Sequence, residues 1–328
     1  MKCTIRHLLP IIFAATALAQ TKPSFEVATI RPSAPLDQVK MMAAIQKGEK
    51  LAFGVTITAT RAEYLFMDLK SLLSYAYGVK TYQVTGPEAT LAERFDIVAK
   101  LPDGAAKADA APMLRTLLED RFKLVTHRTT EEHPVLAIVA GKNGTKLKPS
   151  AEKPVPIDEE APLQPGEVKM DTPDGPVRGK MDMATMSSVI DMGLKGKMAY
   201  KINPSAKTIH IDFHMTTLQG FAEMTTQLLM QLGGGTGGRR IIDMTGIQGN
   251  YDASLEISLS DMQATAIARD FGQDAPQTSA PGPGVAPDPG NGSTLTQALD
   301  SMGLRLESRK APVEQFIVDH IEKTPTEN

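Results

Sequence analysis

Residues 208–232 read TIHIDFHMTTLQGFAEMTTQLLMQL, and two hydrophobic periods meet within them. From Thr208 to Phe213 apolar and polar side chains alternate, which predicts a strand with Ile209, Ile211 and Phe213 facing inward. Thr216-x-x-Gln219 then has the form of a capping box. Behind it Leu218, Phe221, Ala222, Thr225, Leu228, Leu229 and Leu232 fall on one helical stripe that ends at Gly233. A helix with a single apolar stripe must cover a sheet face, so the stretch predicts an α+β protein.

Working outward, the same succession occurs a second time. Phe53–Thr58 alternates, Thr60-x-x-Glu63 is a capping box, and Leu65, Leu69, Leu72, Leu73 and Ala76 form a stripe closed by Gly78. Strands are predicted at Tyr82–Thr85 and Arg94–Lys100, then a helix capped by Asp109 with Pro112 in its first turn. Phe122, Leu124 and Thr126 alternate, and Val135–Val139 is an apolar strand expected to turn at Asn143-Gly144. After the quoted stretch come strands at Arg239–Asp243 and Asn250–Leu259 and a helix behind Thr294-x-x-Gln297. An alternation at Leu304, Leu306 and Ser308 and a last strand at Val313–Ile321 follow.

Residues correspond as well as periods. Val84-Thr85-Gly86 leading to Phe95-Asp96 matches Met244-Thr245-Gly246 leading to Tyr251-Asp252. Arg121-Phe122-Lys123-Leu124 matches Gly303-Leu304-Arg305-Leu306. The expectation is two similar β-α-β-β-α-β-β halves, with mainly antiparallel sheets and helices packed on one face. Two ordinary α+β patterns that share their order by coincidence are the alternative. The halves are placed at 20–150 and 177–328. The proline- and acid-rich stretch 151–176 between them is expected to be a flexible connector, and the Pro/Gly-rich stretch 262–292 a disordered loop.

The start of the chain carries Lys2 and Arg6, an apolar run from Leu8 to Leu18 and the small-x-small triplet Ala17-Leu18-Ala19. This is the layout of a signal peptide spanning 1–19. The run is well short of the roughly 20 apolar residues of a stable membrane anchor, and no later window supplies one. Export to the periplasm or the extracellular space is therefore expected. Cleavage after Ala19 removes the single cysteine, Cys3, leaving neither a disulfide nor a thiol nucleophile. The 35 basic and 38 acidic residues leave a slight acidic excess, which argues against a nucleic-acid surface.

Several longer motifs carry a family resemblance. They are Phe25-Glu26-Val27-Ala28-Thr29-Ile30-Arg31-Pro32-Ser33, Tyr75-Ala76-Tyr77-Gly78, Arg94-Phe95-Asp96-Ile97, Asp120-Arg121-Phe122-Lys123-Leu124, Leu147-Lys148-Pro149-Ser150, Asp243-Met244-Thr245-Gly246 and Gly249-Asn250-Tyr251-Asp252, with the ending Val318-Asp319-His320-Ile321-Glu322-Lys323. As a set they resemble the soil-associated, Solibacter-type family of secreted proteins of Acidobacteria, a domain of unknown function. The resemblance implies export, an α+β fold and no established activity, so no family catalytic residues come with it. Similar modules attached to membrane sensor peptidases imply sensing or binding. The chain departs from the pattern at Pro87–Leu91, which lacks the tryptophan common there, and at the glycine run 233–238 before Asp243.

Candidate sites are few. His210, Asp212 and His214 alternate on one strand face and are the candidate metal ligands; the competing reading is a solvated face opposite Ile209, Ile211 and Phe213. The run Gly233–Gly238 with Arg239-Arg240 follows a helix and precedes a strand, the reverse of a phosphate-binding loop. Glu131-Glu132-His133 near His127 lacks the helical zinc-protease spacing, and there is no Gly-x-Ser-x-Gly elbow. Thr85-Gly86 and Thr245-Gly246 read as left-handed turns, and Asp96 and Asp252 as strand-end turn supports. Met181, Met183, Met186, Met192 and Met198 crowd one segment, as an adaptable binding face or as gap-filling core. The function expected is a non-enzymatic binding module of the cell envelope, without a cofactor. It would recognise an envelope protein or cell-wall component through sheet edges and loops. The alternative is a metal-dependent hydrolase using His210, Asp212 and His214.

Overall fold

A computed structural model describes residues 22–35, 39–40, 43, 53–142, 144–172, 175–182, 184–231, 239–259 and 294–327. The candidate signal peptide 1–19, the glycine run 233–238 and the loop 262–292 lie outside the described residues. Within them the chain is a mixed α/β protein dominated by antiparallel sheet. A four-stranded sheet has the order β1 (Val27–Pro32), β5 (Arg94–Lys100), β3 (Arg61–Asp68), β2 (Gly54–Ile57). A seven-stranded sheet has the order β7 (Lys148–Pro149), β14 (Tyr251–Ser258), β12 (Thr208–Thr216), β11 (Lys197–Asn203), β10 (Ser187–Asp191), β9 (Gly175–Asp182), β8 (Glu167–Thr172). The third sheet runs β13 (Ile241–Asp243), β6 (Val125–Ala140), β15 (Leu304–His320), β4 (Val84–Thr85). Its middle pair is antiparallel, and each outer strand is parallel to its neighbour. The helices are α1 (Leu69–Tyr77), the single turn α2 (Glu88–Leu91), α3 (Ala110–Arg121), α4 (Leu218–Gln231) and α5 (Thr294–Ser301).

Strand β12 keeps the expected alternation, with Ile209, Ile211 and Phe213 buried against α4, where Phe221 meets Phe213 edge-on at 4.7 Å. The helix starts one residue later than the capping box implies. Thr217 Oγ1 accepts from the Gly220 amide at 3.0 Å, so Thr217 is the cap. The first capping box fails by more. Residues 61–68 are the strand β3, hydrogen-bonded to β2 on one side and β5 on the other, and α1 begins at Leu69. Its cap is Asp68, whose carboxylate accepts from the Ser71 amide at 2.7 Å. Pairing on both edges outweighs the local preference at Thr60 and Glu63, as tertiary context commonly does. The expected turn at Asn143-Gly144 does not return β6 on itself. Asn143 is outside the described residues, and from Gly144 the chain passes to β7, which pairs with β14.

The largest difference lies in the long strands. Each was expected as two strands with a polar break, but β6 runs unbroken from Val125 to Ala140 and β15 from Leu304 to His320. The polar residues between His127 and Pro134 interrupt the burial but not the ladder, because β15 pairs the backbone throughout. Consequently β6 starts beside Leu124 in one apolar core and delivers Leu136 and Ile138 to a second. Strand β15 runs the other way. Leu304 lies in the second core, and Phe316, Val318 and Ile321 lie in the first. The proline-rich connector is also more structured than expected. From Glu167 it forms β8 and enters β9, and Arg178 of β9 donates to the carbonyls of Ala161 and Pro162 at 2.9 and 3.0 Å.

Phe316 is 2% exposed, and its ring lies 4.5 Å from that of Tyr77 on α1. Phe316→Ala therefore empties a site in the N-terminal core from the C-terminal strand, at an expected cost of about 3–5 kcal/mol. Urea unfolding followed by circular dichroism should show that loss as one transition; an unchanged midpoint would contradict the packing described.

Candidate functional site

The bend that ends β3 sets the direction of α1, and the bend that ends β12 sets that of α4. At both points the ladder bulges, and a non-glycine residue takes a left-handed backbone, Phe66 at φ 54° and Met215 at φ 57°. Such a conformation costs on the order of 1–3 kcal/mol and needs support. Asp96 Oδ1 accepts from the Phe66 amide at 2.7 Å and from Ser33 Oγ at 2.6 Å. Asp252 Oδ1 accepts from the Met215 amide at 3.0 Å and from Ser150 Oγ at 2.6 Å. The two aspartates hold the bends, as turn supports do.

Between α1, α4 and the β8–β9 hairpin lies a cavity of about 420 Å3. One wall is Val55 on β2, Met67 at the end of β3 and Tyr75 on α1; the opposite wall is Met224 and its neighbours on α4. Met170 of β8, Val177 of β9 and Met192 close it from the side. Gly54, at φ 88°, lets the Met170 sulfur approach; a Cβ there would stand 3.3 Å from it. The hairpin is held to the first sheet by the Asp171 carboxylate, which accepts from the Ile57 amide at 2.9 Å. At the rim Lys80 and Glu223 face each other at 3.7 Å, each about a third exposed. The wall surface is thus mainly thioether, aliphatic and aromatic, with Lys80, Asp171, Lys195, Glu223 and Gln227 also in the lining, the make-up of a small-molecule site.

Tyr75 is 9% exposed and packs edge-on against Tyr64 with ring centroids 5.4 Å apart. Burial, reinforced by the negative charge of Asp171, pushes its hydroxyl up to about 12. Beyond the cavity edge Arg240 lies 4.7 Å over the Tyr82 ring and donates to the carbonyls of Tyr82 and Glu314 at 3.3 Å each. Burial lowers the pKa of this guanidinium.

The residues singled out from sequence fall elsewhere. His210, Asp212 and His214 do share the outward face of β12, but they do not converge. His210 pairs with Asp212 at 3.2 Å, Asp212 also accepts from Ser254 Oγ at 2.6 Å, and His214 faces Asp252 at 3.8 Å. Among the described residues no group of three His, Cys, Asp or Glu side chains is placed to hold a metal ion. His127 pairs with Asp319 at 2.8 Å, and His133 contacts Gln315 at 2.7 Å, both on the long ribbon of β6 and β15. Gly246 is left-handed at φ 71°, as expected; Gly86 is not, and its missing side chain instead admits Val318, 2.8 Å from where a Cβ would sit.

The methionine-rich segment divides. Met192 lines the cavity and Met198 is core, whereas Met181 and Met186 are exposed and Met183 is outside the described residues. The cavity itself is missed by motif reading, because its walls come from segments far apart in sequence. Its only trace is compositional, in the abundance of methionine.

A family model described as protein of unknown function (DUF3738) matches residues 70–321, from α1 to the end of β15. No curated protein and no solved structure matches the chain.

The Asp252 support gives a pH signature. Burial pushes its carboxyl up, but the bonds from Ser150 and Met215 and the nearby His214 outweigh that and hold it below the usual carboxylate value. A lowered folded-state pKa contributes stability that is present above the unfolded value and lost as pH falls through the folded one. Asp252→Asn should therefore lower the urea midpoint at neutral pH, with the gap to wild type closing as pH drops below about 4. A gap that stays constant with pH would remove the charge from the account.

Proposed function

The chain belongs to the DUF3738 family of proteins of unknown function, and we propose for it the role of a non-enzymatic binding module that seats an apolar ligand in the methionine-lined cavity. The reading rests on one observation: four thioethers, from Met67, Met170, Met192 and Met224, meet around one space from separate segments. Unbranched, polarizable side chains fit irregular apolar shapes at low cost, which suits recognition of molecules rather than chemistry on them. A candidate signal peptide at 1–19 supports placing this binding in the periplasm or outside the cell, with an envelope molecule as ligand. The expected contact thereby moves from the sheet edges to the cavity.

We further propose that the walls facing across the cavity come from two copies of one unit. Several correspondences favour it: the matched bends at Phe66 and Met215, the matched aspartates Asp96 and Asp252, and the matched serines Ser33 and Ser150. On that reading α1 and α4 are equivalent helices, and the β8–β10 strands are an addition to the second copy that closes the space between them.

Titration with the apolar fluorophore N-phenyl-1-naphthylamine tests the binding. Met224→Trp on the α4 wall and Val177→Trp on the side closed by β9 should each weaken it by about tenfold or more, with the thermal midpoint close to wild type. Undiminished binding by both variants would place the probe elsewhere and reject the cavity.

A further inference from the structure

The Tyr75 hydroxyl is a polar group on the cavity wall that the fold leaves unused. Among the described residues the Tyr75 hydroxyl has no hydrogen-bond partner, although the side chain is 9% exposed. Its neighbours differ: Tyr64 donates to the Ala110 carbonyl at 3.4 Å, and Tyr77 to Glu119 at 3.2 Å. The hydroxyl is not sealed in the core but belongs to a residue that lines the cavity, so a ligand there that supplies an acceptor gains affinity.

We infer that the occupant is a neutral molecule with an apolar body and a carbonyl-type acceptor, and that the Tyr75 hydroxyl donates the hydrogen bond that orients it. This rests on the cavity reading above and adds the chemistry of the ligand. The hydroxyl stays protonated far above neutral pH and therefore offers a donor. The acceptor is neutral for two reasons. The Asp171 carboxylate lies close enough to act on Tyr75, and it would repel a second anion. The walls are mostly thioether and aliphatic, and the two lining cations, Lys80 and Lys195, already have partners of their own, Lys80 facing Glu223 at 3.7 Å, so neither is spare to compensate a desolvated charge. A carbonyl oxygen meets the donor without either penalty. Because methionines shape the remaining wall, the apolar body is recognised by bulk rather than outline.

The test compares two dyes on the full chain and on Tyr75→Phe. One is 6-propionyl-2-dimethylaminonaphthalene, a ketone whose emission moves to the red when it accepts a hydrogen bond. The other is its 6-propyl analogue, which has no carbonyl. The substitution should weaken the ketone about tenfold, equivalent to about 1.4 kcal/mol, and move its bound emission to the blue, while the propyl dye binds both proteins equally. Equal ketone binding, or parallel weakening of both dyes, would overturn the hydrogen bond and leave Tyr75 a packing residue. Anionic 1-anilinonaphthalene-8-sulfonate binding as tightly as the ketone would overturn the preference for a neutral ligand. If wild type bound the propyl dye but not the ketone, this inference would fail and the cavity reading stand; if it bound neither, both would fail.

Discussion

The antiparallel ladder between β6 and β15 is the interaction on which the rest depends. It is continuous from Val125 to Ala140 on one strand, and each strand begins in one apolar core and ends in the other. The N-terminal core is therefore incomplete until Phe316, Val318 and Ile321 arrive from the far end of the chain, and the second core needs Leu136 and Ile138 from the first half. Where the ribbon passes between the cores, Val135, Ala311 and Val313 form a small apolar cluster of their own. A slip of one residue would exchange inward and outward side chains along both strands, so burial at the two ends fixes one register for the whole.

That constraint also defines the cavity. Helices α1 and α4 belong to different cores, and the ribbon sets their separation. The outer strands β4 and β13, added in parallel to opposite sides of the ribbon, each follow one of these helices and pin its end. The β8–β9 hairpin then spans the gap, tied to β2 by Asp171. The space between the two helices is lined by methionines from β3, β8, the segment after β10 and α4. The cavity and the joining of the two cores thus share one structural cause.

Much of this was legible in the sequence where the signal is local. The alternation of Ile209, Ile211 and Phe213, the stripe of α4 and the strand Arg94–Lys100 all depend on residues near one another or on a period. What misled were local signals overruled at a distance. Thr60-x-x-Glu63 has the form of a helix start, but its residues are taken up by strands on both sides. The polar run from His127 to Pro134 looks like a break, but a partner nearly two hundred residues away completes its hydrogen bonds. Proline-rich 151–176 reads as a linker, yet its end supplies Met170 to the cavity. Tyr75 carried no signal in the sequence, because an aromatic in an apolar helix is an ordinary core pattern; only its place on the cavity wall distinguishes it.

If the shared ribbon couples the cores, neither can open alone. Native-state hydrogen exchange across a urea series measures this directly at the amides of Leu72, Leu73 and Ile97 in the first core and Phe213, Leu229 and Leu255 in the second. The account predicts that the slowest amides of both sets converge on one opening free energy with one urea dependence. Two separate values, with one core opening fully while the other stays protected, would contradict it.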